Sequence, residues 1–556
     1  MDKRLLLAVV LSVLVVIAYQ EYLRIYFPEI KKPAAPPAET TPRATGTAPI
    51  DAAPPPPVQA TREDGTPRPA LTADVSVETD LWQIGISSVG GSLVSMKLKE
   101  YRATVDPKSP PLDLVAAAGG HPPLALRFHG ERIWSDEDVR YEPSATSLVL
   151  AGSDRGELVL RGEHPDLGPI EKRLRFEGSS YLLSIGVSAP RAAEAAREVA
   201  VLWSHSRFAP AHRGEHYRGV EALVGRKLLY LAPTDLEKGI VAPDPQVAGA
   251  GPVFWGGYAD SYFLSALIPQ KPEQARFWTK LEGDVVVSEL LLPARSVEAE
   301  REPFVLYAGP KSLDHLKPAG HNLVRALDLG WFSFVAEPML RVLKLFHGVT
   351  GNYGWDIILL TVMIKVLFIP LTQKSYKSMQ ELQKLQPQMK KLQEKYKDDR
   401  AALNREVMEL YRRHKVNPLG GCLPMLLQMP VFIGLYNALF YAVELRHAPF
   451  ALWINDLSAP DRLPPFPHPP LANVAGIDVR IPVLTLLMGV SMIVQTRMTP
   501  ASGDPTQQRM MMFMPVVFTV MFVSFPAGLV LYWFVNNVLT VVQQKMVQRA
   551  AQAKKS

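Results

Sequence analysis

The chain has 556 residues, a net charge of +6 and one cysteine, Cys422. This length exceeds that of one ordinary domain, and a single cysteine excludes an intramolecular disulfide and a metal site built on paired cysteines. The charge excess is small, so its position along the chain carries more information than its size.

The first segment, residues 1–27, is predicted to be an uncleaved signal anchor. Lys3 and Arg4 precede an apolar run over residues 5–19, in the order found in signal peptides, but no small-x-small cleavage pattern follows. A cleaved signal peptide is the alternative. The next segment, residues 28–70, is rich in Pro, Ala and Thr and cannot bury a core, which predicts a disordered tether.

Residues 71–318 are predicted to form one large all-β domain. Short runs that alternate between apolar and polar residues are separated by Gly and Pro turns such as Gly90-Gly91. Many short strands with turn signals and few helical patterns are typical of a β-sandwich. The predicted strands are residues 74–79, 81–87, 93–98, 170–176, 181–187, 262–268, 284–292 and 303–308.

Residues 319–352 are predicted to contain an amphipathic helix that lies at the membrane surface. Within residues 338–346, Arg341 and Lys344 stand among apolar residues. Such a basic amphipathic pattern favours the interface between water and lipid. A buried helix of a soluble domain is the alternative, and the membrane run that follows argues against it.

Five apolar runs follow, and each approaches the ~20 residues needed to cross ~30 Å of hydrocarbon. With the signal anchor they predict a membrane α-helical bundle of six spans. The short turn Phe525-Pro526-Ala527-Gly528 joins the last two runs into a helical hairpin. The predicted segments are residues 353–372 (second span), 373–417 (cytoplasmic loop), 418–443 (third span), 444–480 (outer loop), 481–498 (fourth span), 499–509 (cytoplasmic loop), 510–543 (fifth and sixth spans) and 544–556 (basic tail).

The distribution of lysine and arginine predicts how these spans are oriented. Residues 373–417 carry twelve basic and six acidic residues, and the tail 544–556 carries four basic residues and no acidic one. The outer loop 444–480 balances three arginines against four acidic residues. The basic segments are therefore expected in the cytoplasm, together with both chain termini, and the β domain is expected outside it.

The basic loop 373–417 is predicted to fold as an antiparallel helical hairpin. Apolar residues recur every three or four positions on both sides of a turn at residues 397–400. Pro387 is expected to kink or interrupt the first arm. A solvated basic face that only sets the orientation is an alternative to a binding face. The residues expected to contact ribosomal RNA or anionic lipid are Lys390, Lys391, Lys395, Arg412 and Arg413.

Lys365 lies inside the apolar run 357–369, where a charge costs about 3 kcal/mol on insertion scales. Such a residue lines a wet cavity, pairs with another group, or extends its side chain to the membrane surface. Thr361 lies four residues earlier on the same helix face. Because Pro370 and Lys374 mark the nearby cytoplasmic end, the residues alone leave a wet cavity and a surface-directed side chain both open.

Three groups of motifs resemble the YidC/Oxa/Alb membrane insertase family. The resemblance covers the whole chain: the five C-terminal spans match the family core, and the anchor, tether and β domain match the long form of Gram-negative bacteria. The motifs are Asn417-Pro418-Leu419-Gly420-Gly421-Cys422-Leu423-Pro424 with Gln428-Met429-Pro430, Ala448-Pro449-Phe450-Ala451-Leu452-Trp453-Ile454 with Asp456-Leu457-Ser458, and Phe513-Met514-Pro515 with Phe525-Pro526-Ala527-Gly528-Leu529-Val530-Leu531-Tyr532-Trp533.

The resemblance implies a hydrophilic groove that opens to the cytoplasm and the bilayer and is closed on the outer side. The family places a positive residue there, usually arginine, and Lys365 matches that position; lysine keeps the charge but lacks the planar guanidinium fork. The resemblance also implies a supersandwich fold, similar to sugar mutarotases, for the β domain. The candidate groove residues are Lys365, Thr361, Gln428, Gln495, Tyr532 and Trp533.

The resemblance implies a membrane protein insertase and chaperone of the Gram-negative inner membrane, with a periplasmic β domain. Its implied partners are nascent membrane proteins, the Sec translocon, the ribosome, the signal-recognition-particle receptor and the phospholipid bilayer. An enzyme is not expected, nor a cofactor or metal, because the chain has no P-loop, no HExxH motif and no cysteine pair. A transporter and a glycan-binding membrane scaffold are the alternatives, although a transporter usually has repeated halves and paired acidic residues in its spans.

Overall fold

The computed structural model describes residues 71–115, 121–206, 218–232, 235–236, 251–283, 285–396, 399–414, 423–463, 472–474, 477–479, 481–498 and 505–553. The predicted signal anchor and tether lie outside the described residues. The described chain divides into two compact units, with the boundary between Leu327 and Asp328. The first unit is rich in β-strands and the second is mainly helical, so the predicted combination of a β domain and a helical C-terminal part is confirmed.

The first unit contains three sheets. A first sheet has the order β4-β3-β2-β1-β8, a large sheet has the order β14-β13-β15-β16-β19-β11-β10-β9-β7, and a third sheet has the order β17-β18-β12-β5-β6. The strands are β1 Val75–Glu78, β2 Trp82–Ser87, β3 Ser92–Arg102, β4 Pro111–Asp113, β5 Leu126–Gly130, β6 Ile133–Ser135, β7 Tyr141–Pro143, β8 Ser147–Val149, β9 Arg155–His164, β10 Gly168–Glu177, β11 Leu182–Ser188, β12 Ala196–Ser206, β13 Arg218–Val224, β14 Lys227–Leu231, β15 Val253–Asp260, β16 Phe263–Pro269, β17 Arg276–Glu282, β18 Val285–Pro293 and β19 Phe304–Pro310.

All eight predicted strands overlap observed ones and are confirmed: they correspond to β1, β2, β3, β10, β11, β16, β18 and β19. The strands β16, β18 and β19 are buried on both faces. In strands with one exposed face, the alternation in sequence is an alternation of burial, because successive side chains of a strand point to opposite faces. In β10, for example, every second residue is buried. The strands β6, β7 and β8 have three residues each, too few for an alternating pattern to be recognised.

The sheets pack closely on one another. A side chain at Gly256 would collide with the Phe277 ring, because a Cβ atom there would lie 2.4 Å from Phe277 Cδ2, so glycine lets the large sheet approach the third sheet. The Trp82 indole N–H donates to the Ala308 carbonyl over 3.0 Å and joins the first sheet to the large one. The buried indole thus keeps a hydrogen-bond partner inside the core.

A buried ion pair connects all three sheets. Lys172 occupies a core-facing position of β10, is 1% exposed, and its Nζ lies 2.6 Å from Oδ2 of Asp136, which is 0% exposed. The ammonium also donates to the carbonyls of Gly90 and Leu124, over 2.6 and 2.9 Å. The Tyr141 hydroxyl donates to the same carboxylate. Both charges are therefore hydrogen-bonded where water cannot reach them.

A second charged cluster lies on the third sheet and was not predicted. His121 contacts Glu137 over 2.8 Å and Glu282 over 2.5 Å, and the neighbouring Arg127 pairs with Glu289. Among the described residues no group is arranged to hold a metal ion. Since the members of the cluster pair with one another, they provide no specific support for glycan binding.

The helical unit follows the predicted runs with changed boundaries. Its helices are α4 Ser333–Thr350, α5 Tyr353–Lys395, α6 Arg400–Arg413, α7 Leu423–Tyr441, α8 Val483–Met498, α9 Pro505–Phe522 and α10 Ala527–Ala553, after the short helices α1 Pro190–Ala195, α2 Ala294–Ala299 and α3 Leu313–Ala319 of the first unit. Short 3-10 helices lie at Leu323–Ala326 and Val443–Leu445, and strands Ala472–Val474 and Ile477–Val479 form a hairpin in the outer loop.

In the part of the chain that the structure describes, one helical stretch is long and apolar enough to cross a membrane. It is Tyr353–Gln373, with 21 residues and a mean hydropathy of 2.0. Two further stretches, Val483–Met498 and Met511–Phe522, are apolar but shorter. The number of six spans therefore remains a prediction. Helix α4, in the predicted interfacial region, buries Ala336, Leu340 and Leu343 and exposes Phe334, Leu345 and Val349.

Helix α5 runs through Pro387 without a break, so of the two expected effects, a kink or an interruption of the hairpin's first arm, the interruption does not occur. The same helix contains the predicted second span and the first arm of the predicted cytoplasmic hairpin. Asp399 accepts the backbone N–H of Ala402 over 2.9 Å and caps the second arm, α6. The Tyr411 hydroxyl lies 3.1 Å from Met389 Sδ and joins the two arms.

Replacing Lys172 by methionine should destabilise the β domain by about 3–5 kcal/mol, because it leaves Asp136 buried without its counter-charge. The matched control is Lys99→Met, which removes an ion pair with Glu78 at the surface and should cost about 1 kcal/mol or less. Urea unfolding of the full-length protein, followed by protease sensitivity of the β domain, measures both. An equally small loss of unfolding free energy in Lys172→Met and Lys99→Met would contradict a stabilising role for the buried ion pair.

The pair His121–Glu282 should make the stability of the β domain depend on pH. Burial alone would lower the pKa of His121, but Glu137 and Glu282 raise it above 6.5. Burial alone would raise the pKa of Glu282, but His121 and Lys280 lower it from 4.5 to about 2. The histidine contribution is complete below pH 6.5 and is lost as pH rises through the folded pKa. The glutamate contribution is complete above pH 4.5 and is lost as pH falls toward about 2.

The urea concentration at the unfolding midpoint of the full-length protein should therefore be highest between pH 4.5 and 6.5. It should decrease as the pH rises above this interval or falls below it. The double variant His121→Asn with Glu282→Gln should flatten this profile. An unchanged profile in the double variant would assign the pH dependence to other groups.

Candidate functional site

The last helix, α10, is hydrogen-bonded through polar side chains to three other helices. In the described part of the unit its partners lie on α5, α7 and α8. Polar side chains between membrane helices face one another because lipid offers them no partner. The contacts are Tyr532 Oη with Gln428 Nε2 at 3.0 Å, Asn537 Nδ2 with Ser491 Oγ at 3.1 Å, Thr540 Oγ1 with Lys365 Nζ at 2.8 Å, and Gln543 Nε2 with Thr372 Oγ1 at 2.7 Å.

The Lys365 side chain points into the helical unit. Its ammonium donates to the Thr540 hydroxyl, and Thr540 in turn donates to the Asn536 carbonyl over 2.6 Å. Among the described residues no carboxylate lies within ion-pair distance of Lys365. A contact with the neighbouring helix argues against a side chain that extends to the membrane surface. The charge therefore has a neutral hydroxyl as its partner.

Thr361 is buried, and its hydroxyl donates to the Ile357 carbonyl over 2.6 Å. This is the usual bond of a threonine to the preceding turn of its own helix. Thr361 shares a face of α5 with Lys365, but its hydroxyl hydrogen is used within the helix. The structure thus brings Lys365 together with Thr540 rather than with the hydroxyl of Thr361.

Gln428, Tyr532 and Trp533 form a second polar and aromatic site. The buried Tyr532 is fixed by Gln428, and Trp533 lies against the Phe432 ring with centroids 4.6 Å apart and against Phe522 at 5.3 Å. Tyr532 and Thr540 are eight residues apart on α10, which corresponds to ~12 Å along the axis. Lys365 therefore lies at one site along α10, and Gln428, Tyr532 and Trp533 lie at another. Gln495 is half-buried on α8.

The start of α5 is held in place by polar contacts. Asn352 accepts the backbone N–H of Gly354 over 2.9 Å, and its amide donates to the Phe450 carbonyl over 3.0 Å. The fully buried Asp356 accepts from His347 Nδ1 over 2.9 Å, and His347 lies on α4. These contacts fix the N-terminal end of the helix that carries Lys365 against α4 and Phe450.

The basic residues of the hairpin are largely directed to solvent. Lys391, Lys395 and Arg412 are exposed. Arg413 is also exposed but is paired with Glu409 through a bond of 3.1 Å from its Nε atom. Such an exposed pair within one helix contributes little to stability. The side chain of Lys390 lies outside the described residues.

The helices carry many exposed apolar side chains, more than a water-facing surface usually holds. Examples on α5 are Val366 and Leu367, which are 58% and 74% exposed. These side chains lie next to Lys365 in the sequence, so one face of α5 is apolar and open while another holds the charge. Further exposed residues of this kind are Leu486, Val490, Val494, Phe513, Val516, Val520, Val538 and Val542.

Thr540 is the site residue that the sequence interpretation missed. Its signal was present in the spacing: Asn537, Thr540 and Gln543 recur every three residues and therefore lie near one face of α10. Each of them contacts another helix. A polar series at helical spacing inside an apolar run predicts such a face more reliably than any one of its members.

Comparison with known proteins agrees with the two-unit structure. Residues 74–342 match the family described as YidC periplasmic domain, and residues 345–555 match the family described as 60Kd inner membrane protein. The relative named membrane protein insertase YidC from Syntrophobacter fumaroxidans is 40% identical, with 99% of this chain and 100% of that protein covered. The relative of the same name from Pelobacter propionicus is 39% identical, with 99% of each chain covered.

A solved structure titled "Active YidC insertase crystal structure with the first transmembrane domain resolved" is 17% identical with a TM-score of 0.35 and covers 85% of this chain and 94% of that chain. The family assignment rests on the sequence relatives and not on this weak likeness. Because they match along their whole length, the chain belongs to the YidC membrane insertase family, whose members are embedded in the membrane and have a periplasmic domain.

Proposed function

We propose that this protein inserts nascent membrane proteins into the Gram-negative inner membrane, and helps them fold, through a hydrophilic groove that contains Lys365. The observation that carries the proposal is the ammonium of Lys365, which has a hydroxyl partner at 2.8 Å and no carboxylate partner among the described residues. A cation in surroundings of low dielectric constant attracts an incoming anion strongly. A charge retained inside a membrane helix is by default a functional group.

The groove acts by lowering the barrier for a short polar segment. In the proposed mechanism, the part of the substrate that will lie outside enters from the cytoplasm, and its acidic groups meet water and Lys365 part of the way across. The membrane potential assists outward movement of a negative charge by ~2.3 kcal/mol per 100 mV. No covalent step is needed, because burial of the substrate's apolar helix in lipid supplies the free energy. The relatives' names likewise denote an insertase and not an enzyme class.

The second site is proposed to contact the apolar part of the substrate. Trp533 and its neighbouring phenylalanines present aromatic surface beside the polar pair Gln428–Tyr532. Thr361 and Gln495 complete the proposed groove lining. The exposed Met512 and Met514 suit partners of variable shape, because the unbranched thioether side chain adapts to irregular surfaces.

The proposed topology has six spans, with both termini in the cytoplasm and the β domain in the periplasm. The hairpin of α5 and α6 is then the surface that meets the ribosome, the signal-recognition-particle receptor or anionic lipid. Its exposed lysines and arginines support this role. The Sec translocon is proposed as a further partner for substrates with long exported segments.

Replacing Lys365 by alanine or glutamate should slow insertion of a two-span protein with an acidic exported loop, while Lys365→Arg should preserve it. Loss of an attraction of ~1.4 kcal/mol in the rate-limiting step slows insertion about tenfold. The assay follows protease protection of the substrate in cells depleted of their own insertase.

Lys545→Ala, which removes an exposed lysine from α10, is the control for the loss of one charge. A substrate with an uncharged exported loop should be much less sensitive to Lys365. Normal insertion by both Lys365→Ala and Lys365→Glu, at parental amounts of protein, would refute charge attraction.

Neutralising the exposed basic residues of the hairpin should weaken binding to ribosomes or anionic vesicles. Each lysine or arginine near an anionic surface contributes ~1 kcal/mol, so Lys391→Gln, Lys395→Gln and Arg412→Gln together should weaken binding up to about 100-fold at low salt and less at high salt. Co-sedimentation of the full-length protein in nanodiscs with ribosomes, or with anionic vesicles, measures this binding. The control removes three charges from the β domain, at Lys99, Arg132 and Lys280, and equal weakening there would make the effect one of net charge.

A further inference from the structure

The outer loop contains a buried carboxylate that joins it to α8. Asp461 is 4% exposed. Its Oδ1 atom accepts the indole N–H of Trp453 over 2.8 Å, and its Oδ2 atom accepts the backbone N–H groups of Leu484 and Thr485, in the first turn of α8. These N–H groups have no partner within the helix, and the helix dipole is positive there. The carboxylate therefore attaches the loop to the outer end of α8.

The residues just before Asp461 hold the start of α10 in the same way. The Ala459 carbonyl accepts the N–H of Ala527 over 2.8 Å, and the Leu457 carbonyl accepts the N–H of Gly528 over 2.8 Å. Gly528 also lies close to α5, because a Cβ atom there would be 3.3 Å from Ile357 Cδ1. Five residues of loop, 457–461, thus connect the outer ends of two helices that carry polar side chains.

We propose that Asp461 is a positioning residue that keeps the outer ends of α8 and α10 together and so closes the groove to the periplasm. This inference rests on the proposed function. The two helices are also joined by the hydrogen bond between Asn537 and Ser491, about two to three turns from their N-terminal ends. Release of those ends would therefore open the space between the ends and this hydrogen bond. Asp461 contacts no proposed groove residue and acts through the helices.

A second buried carboxylate in the same loop has a different arrangement and supplies the control. Asp456 accepts three hydrogen bonds through Oδ1 alone, from the His447 N–H, the Ser458 N–H and the Ser458 hydroxyl. All three donors lie within the loop. Asparagine at position 456 can keep its oxygen toward these donors. Asparagine at position 461 cannot accept from both the Trp453 indole and the backbone N–H groups of α8, because one of these donors would face its amide NH₂ group, which is itself a donor.

The test measures access from the periplasmic side to Met488, which is fully buried on α8 one turn beyond Thr485. Met488→Cys in a Cys422→Ser background is exposed to a membrane-impermeant maleimide added outside spheroplasts. We expect the parent and Asp456→Asn to react slowly, Asp461→Ala at least tenfold faster, and Asp461→Asn at an intermediate rate. The amount of folded protein is measured in parallel.

Reaction of both Asp461 variants at the parental rate would overturn the proposal. If Asp461→Ala does not accumulate, Asp461→Asn, which conserves side-chain volume, decides. The labelling needs no substrate, so its result is independent of insertion. A parent protein that inserts substrate normally, with both Asp461 variants labelled at the parental rate, refutes the closure alone. A parent protein that inserts no substrate in the depleted cells, with Asp461→Ala labelled at least tenfold faster, refutes the proposed function alone.

Discussion

The constraint on which the helical unit depends is the free energy of holding one positive charge inside a membrane helix. Lys365 cannot lie against lipid without a polar partner, so a neighbouring helix has to present one. Helix α10 presents Thr540, and the rest of its polar series meets α5, α7 and α8. Helix α10 therefore supplies the polar partner of the Lys365 ammonium and also binds the polar side chains of the neighbouring helices.

Lys172 and Lys365 have opposite kinds of partner. Lys172 in the β domain faces a carboxylate and two carbonyls, so its charge is fully compensated and its effect is structural. Lys365 has a neutral hydroxyl as its partner, so its charge is not compensated by that contact. The same residue type is thus neutralised in one unit and held by a neutral group in the other, and the difference lies in the partner.

Much of the fold could be predicted because its signals are local. Alternation identified strands such as β10, and the apolar runs identified the helices of the second unit. The charged contacts could not be predicted in this way, because His121 and Glu282, or Lys365 and Thr540, are far apart in sequence and meet only after packing. Pro387 does not interrupt the arm, one of its two expected effects, because the cost of one missing helix hydrogen bond did not end α5. Lys172 could have been recognised, since it interrupts the apolar face of an alternating strand and so requires a buried partner.

The continuity of α5 has a mechanical consequence. From Tyr353 to Lys395 the helix has 43 residues and a length of ~65 Å, of which ~45 Å lies between Lys365 and its C-terminal end. The N-terminal end is anchored through Asn352 and Asp356. A sideways force on the C-terminal end therefore acts on a long lever whose pivot lies at the N-terminal end. A displacement of the C-terminal end would move the position of Lys365 by a smaller distance in the same direction.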